Sequence, residues 1–455
     1  MVVFGNDIVI FSDKHITFQA EADTGVAWKR WYKRAISNSA KQLYGAKNWL
    51  QRFPDRVFLD SKCTRTLPVR IPDIESVRFH LVAVTRGSAE ACAKHFSGSF
   101  GTHMINTGLS HNDYPDYPFT TGPLDSGKEF VHVFDELSLE ILMREMTTVR
   151  DFVEYLAARK AFLLTPDTVI TSAGEEQLIA NYLMHNDDNA CPFLPISGAT
   201  PKLISFDETH YSALTGRTDY KAMHEENKKS AFWDTLIEKF IALGDPTITE
   251  LGANQLNHET ELALRLMASE TRLMRRELTF QFFDMMQRAK NGHYGRRSRT
   301  LTTLQSPDIL YIFLACPKLE GQTNEIYRRY RSAMLLAYAQ CAKLRFPLAT
   351  TVIALGFDHP LKDYRGGSED LCVYIHGDYS ADERAEVERL REQLGIYAGA
   401  NLTQDGTSFQ FPGTLTRALE SAAPSHHTDT KKKLLRAKKA KNKKQKQARK
   451  AGRRK

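Results

Sequence analysis

The chain of 455 residues is poor in the signatures that tie a sequence to one chemistry. Its six cysteines, Cys63, Cys92, Cys191, Cys316, Cys341 and Cys372, are scattered and form no CxxC pair. That fits reduced thiols in a cytosol better than a disulfide framework or a cysteine zinc site. No run of about eighteen apolar residues exists to cross a bilayer, and the start MVVFGNDIVIF carries no basic leader. A cytoplasmic protein without a membrane segment is expected. There is no P-loop, no GxGxxG after a strand, no HExxH, no GxSxG and no repeat at solenoid spacing. A nucleotide-cradling loop, a zinc-protease helix and a hydrolase elbow are therefore without support.

What is present is charge, unevenly placed. From Lys431 onward the tail carries 15 of the 62 Lys and Arg and no acid, which leaves 47 bases against 54 acids elsewhere, a net of −7. A run this dense repels itself and buries no core, so residues 431–455 are expected to be disordered alone and to seek a polyanion. Lys431, Lys432, Lys433, Arg436, Lys438 and Lys439 are its first candidates for salt-sensitive binding of RNA or DNA by counterion release. A purely solubilising tail is the alternative.

Periodicity predicts an α/β and α+β fold. Val2 to Phe4 and Ile8 to Phe11 form two short strands around a turn. From Trp28 to Phe53 apolar residues keep a helical period, with Thr24 as cap and Pro54 as stop. The other side of that helix bears Lys29, Arg30, Lys33, Arg34, Lys41, Lys47 and Arg52 with no acid among them. Lys29, Lys33 and Lys41 are thus candidates for nucleic-acid binding. Trp28, Trp31, Tyr32, Tyr44 and Trp49 are read as core, with base stacking as the alternative. A strand over 76–86, a short helix, a long surface loop from about 97 to 127 and the strand EFVHVFDE complete an amino-terminal α/β module over 1–135. A mostly helical domain over 136–299 includes a long helix from about Asn257 to Ala289 and ends in a joint at Arg296, Arg297 and Arg299. Strands and helices alternate in an α+β domain over 300–400, and 401–430 is a linker to the tail.

Candidate chemistry gathers at NDIVIFSDK, Asn6 to Lys14. A metal-dependent nuclease holds a divalent ion with carboxylates and uses a lysine to position or polarise the attacking water. An acid-x-Lys at the end of a buried strand would put both on one face. The order strand, turn, IVIFSDK, then a basic helix containing KQLYGA, resembles the second half of a PD-(D/E)xK nuclease core. It is most similar to the nuclease-related and RecB-like branches, in which a glutamine on the following helix also faces the site. The resemblance covers about the first fifty residues and implies an incomplete restriction-endonuclease-like core that hydrolyses phosphodiesters with Mg2+ or Mn2+ held at Asp13. Lys14 matches the family lysine and Gln42 the helix glutamine. Strand alternation places Ser12, and not Asp13, on the face of Lys14. Asp7 lies about six residues, or roughly 20 Å, along the strand from Asp13, too far to share an ion. A bulge at Ser12, an acid upstream of Met1 and a core that binds without cutting are the three ways to reconcile this. The whole chain, with WKRWYKRAI, QLYGAKNWLQRFPDRVFLD, FVHVFDELSLEIL and GGSEDL, also resembles a bacterial protein family of unassigned activity.

Weaker candidates are His103, His111, Asp113 and Asp116, which could meet a metal but lack regular ligand spacing. His132 and Asp135 lie three apart on a strand and face opposite ways, which predicts packing and capping. Arg365 to Asp370, RGGSED, joins a turn to two carboxylates. The competing functions are a metal-dependent nuclease, a non-catalytic RNA- or ribosome-associated binding protein, and an interaction subunit completed by a protein partner.

Overall fold

The computed structural model describes residues 1–67, 71–97, 99–185, 193, 203–243, 258–302, 306–361, 369–398 and 410–411. Met1–Gln410 form one compact unit and Phe411–Lys455 another. The tail candidates Lys431, Lys432, Lys433, Arg436, Lys438 and Lys439 lie outside the described residues, as do Arg365 to Ser368. The first unit is mixed α/β, with three mixed four-stranded sheets among the described residues. Among the described residues no helix is long and apolar enough to cross a membrane.

The first sheet begins as a hairpin of β1 (Val2–Phe4) and β2 (Asp7–His15), tightened by Gly5 at a φ of 56°. A side chain is disfavoured in that left-handed region, so glycine suits the turn. Next come α1 (Thr24–Tyr32), a π turn at Lys33–Ser37 and α2 (Asn38–Arg52). Asp23, and not Thr24, caps α1, accepting the Val26 N–H at 3.0 Å. The burial pattern explains the π turn. Ala27 and Trp28, Trp31 and Tyr32, Ala35 and Ile36, and Ser39 and Ala40 are all buried, a repeat of four. At 3.6 residues per turn that repeat drifts by about 40° each time, and the wider turn takes up the drift. Phe53, at the end of the series, is 40% exposed.

The helix crosses one face of the sheet to reach β3 (Arg78–Arg86), parallel to β2. Trp28, Trp31 and Leu43 bury against Ile8, Ile10 and Leu81 there. The indole N–H of Trp28 donates to the Tyr114 carbonyl at 2.9 Å and that of Trp31 to Ile16 at 2.6 Å, so these rings are core. The chain then forms α3 (Ala89–His95), β4 (Met104–Asn106) and β5 (Thr120–Thr121) before β6 (Val131–Asp135) joins β3 in parallel. The expected surface loop over 97–127 thus contains two strands of a second sheet.

After α4 (Glu136–Glu145) and α5 (Val149–Leu163), that second sheet is completed by β7 (Val169–Ser172) and, beyond α6 (Glu175–His185), by β8 (Leu203–Phe206). Its order is β5-β4-β7-β8. The region read as mostly helical therefore holds two strands, whose four-residue runs are too short for alternation to reveal. Next are α7 (His210–Gly216), α8 (Thr218–Lys229), α9 (Ala231–Leu243), α10 (His258–Ala268) and α11 (Arg272–Lys290). The single long helix expected from Asn257 is broken where the Thr271 side chain caps α11.

The third sheet starts with an edge strand, β9 (Arg297–Thr302), where the sequence suggested a joint. It continues through β10 (Ile309–Cys316), α12 (Asn324–Arg345), β11 (Thr351–Asp358), β12 (Asp370–Ile375) and α13 (Ala381–Leu394). Its order is β12-β11-β10-β9, with β10 and β11 parallel. Arg331 of α12 is fully buried and paired with Asp358 at 2.6 Å and Asp370 at 2.5 Å. The Asp370 carboxylate of RGGSED is thus engaged inside the fold.

Candidate functional site

The carboxyl end of β2 decides which sequence candidates meet. Pairing of β2 with β3 runs unbroken through Ser12, Asp13 and Lys14, so there is no bulge at Ser12. Alternation then holds. Ile8 and Ile10 pack into the α1–α2 core, and Ser12 and Lys14 follow them on that face. The Ser12 hydroxyl donates to the side-chain amide oxygen of Gln42 at 3.2 Å, which ties the end of β2 to α2. The side chain of Lys14 is half-buried and has no ion-pair or hydrogen-bond partner among the described residues. The structure therefore joins Ser12 to Gln42, with Lys14 two residues further along the same face of β2.

Asp13 is on the other face, with Phe11, whose ring stands 6.2 Å from that of Phe152 on α5. Its carboxylate accepts two hydrogen bonds from Arg86, at 2.9 and 3.0 Å. Asp7 is further back on the same face and buried, bonded by Arg78 at 2.6 Å and His80 at 2.8 Å. Burial opposes its ionisation, but those two bonds outweigh it and hold the carboxyl below its usual range. No group of three or more His, Cys, Asp or Glu that could hold a metal occurs among the described residues.

The α1–α2 surface keeps most of its positive charge unopposed. Arg30, Lys33, Arg34, Lys41 and Arg52 are exposed and make no ion pair with a described carboxylate. Lys29 meets Asp116 at 2.9 Å, an exposed pair. Lys47 is turned into the structure, 2.8 Å from Glu129, which also takes Lys160 at 2.5 Å. Gln42 sits at the rim of this surface, next to Lys41.

One buried polar group escaped the sequence reading, and a second shows what two of its candidates do. On the α5 side Arg159 holds Glu175 through Nε at 2.7 Å and Nη2 at 2.8 Å, and Tyr155 donates to the same carboxylate at 2.5 Å. His132 stands 3.4 Å from Arg159, and burial, then that cation, keep its imidazole well below its ordinary 6.5. At the carboxyl end of β6, Asp135 accepts the backbone N–H of Leu137, Ser138 and His103 at 2.8 to 3.0 Å. Burial raises its pKa to about 6. Packing and capping are thus what His132 and Asp135 do. His103 is enclosed by Trp28 and Trp31, bonded to Ser88 at 2.9 Å, and lowered by burial to about 4. Asp113 binds Ser110 and Asp116 binds Lys29, so the four residues of that loop do not converge.

No protein-family model, curated protein or solved structure matches the chain.

Proposed function

We propose that this protein binds nucleic acid through the open basic face of α1–α2 and the polar end of β2, and that this module grips the strand without cutting it. The observation that carries the reading is the company Lys14 keeps. Hydrolysis of a phosphodiester at such a lysine needs carboxylates to seat the metal, whereas Lys14 shares its face with the hydroxyl of Ser12 and the amide of Gln42. The ammonium of Lys14 and the amide NH2 of Gln42 both donate to phosphate oxygens, and the Ser12 hydroxyl holds the oxygen of that amide. Arg30, Lys33, Arg34 and Lys41 extend that positive surface along the helix. The hairpin, the basic helix and the parallel third strand support a PD-(D/E)xK-like core kept for binding.

The test is a titration of duplex and single-stranded oligonucleotides over a range of salt, with and without Mg2+ or Mn2+. Each phosphate contact contributes nearly one to the slope of log affinity on log salt. Lys33→Glu with Lys41→Glu should lower that slope by about two, additively with removal of residues 431–455. The substrate should stay intact throughout. Metal-dependent cleavage abolished by Lys14→Ala would instead establish the nuclease reading.

A further inference from the structure

We infer that the end of α2 is a stacking platform for the bases of single-stranded nucleic acid, an inference that rests on the reading above and specifies the form of strand bound. Of the four tryptophans, Trp28 and Trp233 are fully buried and Trp31 is 2% exposed, while Trp49 is 49% exposed. One turn later Phe53 is 40% exposed, and the two ring centroids are 4.8 Å apart. Two large rings left about half in water forgo part of the burial that folding favours. They are also held in place. The Trp49 indole N–H donates to the Arg56 carbonyl at 3.3 Å, and the Arg56 guanidinium lies over Phe53, 5.4 Å from the ring centre.

The segment from 52 to 66 is cationic. Arg52 and Arg56 flank the rings, and the hairpin closed by the Phe58–Thr66 bridge exposes Lys62 and Arg65. Two carboxylates stand against these four cations, Asp55 and Asp60, and the latter accepts the backbone N–H of Lys62, Thr64 and Arg65. Half-exposed rings fringed by guanidinium groups match a base with its phosphate. Every unpaired base offers a π face, whereas a duplex covers those faces with its own neighbours. An apolar protein surface would have to strip water from the charged fringe, so charge complementarity selects the polyanion.

Trp49 is the accessible indole, so its fluorescence reports on its own site. The full chain is titrated at low salt with oligo(dT), oligo(U) and a duplex of equal length. Both single strands should quench the emission and the duplex should not, with the tighter arm naming the preferred sugar. Trp49→Phe should abolish the quench while keeping affinity, because a ring remains. Trp49→Ala should weaken single-strand binding about tenfold and duplex binding less than about twofold, with an unchanged thermal transition. Strand binding without a quench, or an equal loss for duplex and single strand in Trp49→Ala, overturns the platform and leaves the nucleic-acid reading standing. Absence of binding to any of the three overturns both.

Discussion

On the α5 side of the first sheet Arg159 is 3% exposed and clamped to Glu175, whereas on the α1–α2 side Lys33, Arg34 and Lys41 are exposed with no carboxylate opposite. Both sets are cations near the same strands. They differ in what water does for them. A guanidinium taken out of water loses several kcal/mol of hydration, so the fold must supply its counter-charge. An exposed ammonium keeps its hydration and needs no partner. Cations enclosed by the fold are therefore structural, and exposed unmatched ones are those still able to meet a phosphate.

The sharpest way to break this contrast is Arg159→Ala. It leaves Glu175 buried beside Tyr155 with no cation, and should cost about 3–5 kcal/mol in urea unfolding. A loss under about 1 kcal/mol would mean that water already reaches the pair. Acidification tests the same face. The folded state holds the His132 imidazole below 6.5, so it binds a proton less well than the unfolded chain. Its contribution to stability is present above about pH 6.5 and is lost as pH falls. Asp135, Asp151, Glu154 and Glu176, all raised by burial, act in the opposite sense, since they favour the fold when protonated and lose that contribution as pH rises. The informative quantity is the difference from His132→Phe, whose urea midpoint should fall less than that of the wild type between pH 7 and 5.

The smallest effects belong to the end of β2. Lys14→Ala and Asp13→Asn should each change stability by no more than about 0.5 kcal/mol, since Lys14 is half-buried without a partner and the Asp13–Arg86 pair is exposed. Ser12→Asp should be tolerated as well, because Ser12 lies at the rim, next to exposed Gln42. Its new charge should weaken oligonucleotide binding several-fold, measured in the same low-salt titration. A large loss of stability in any of the three would place this end of the strand inside the core.

Long apolar or periodic segments were legible in advance. The unbroken ILYIFLAC of β10 and the period of α12 announce themselves, because burial on both faces or along one stripe leaves a mark in consecutive residues. Contacts between distant residues leave none. Asp13 meets Arg86 across 73 positions and Asp7 meets His80 across a further 73, pairings that only the parallel register of β2 and β3 creates. Ser12 and Gln42, 30 positions apart, were linked through a family resemblance and strand alternation. Neither charge nor spacing could show that Lys47 turns inward to Glu129 while Lys41 stays out.

The π turn at Lys33–Ser37 makes the helix unequally tolerant of changes in length. A π turn contains one more residue than the α turn it replaces, so losing a residue there would convert it to regular helix and leave both flanking segments facing as before. Losing one between Asn38 and Lys41 would turn everything beyond it by about 100° and carry Gln42 away from Ser12. The wide turn is thus where the helix tolerates the loss of one residue while keeping the bond between Ser12 and Gln42.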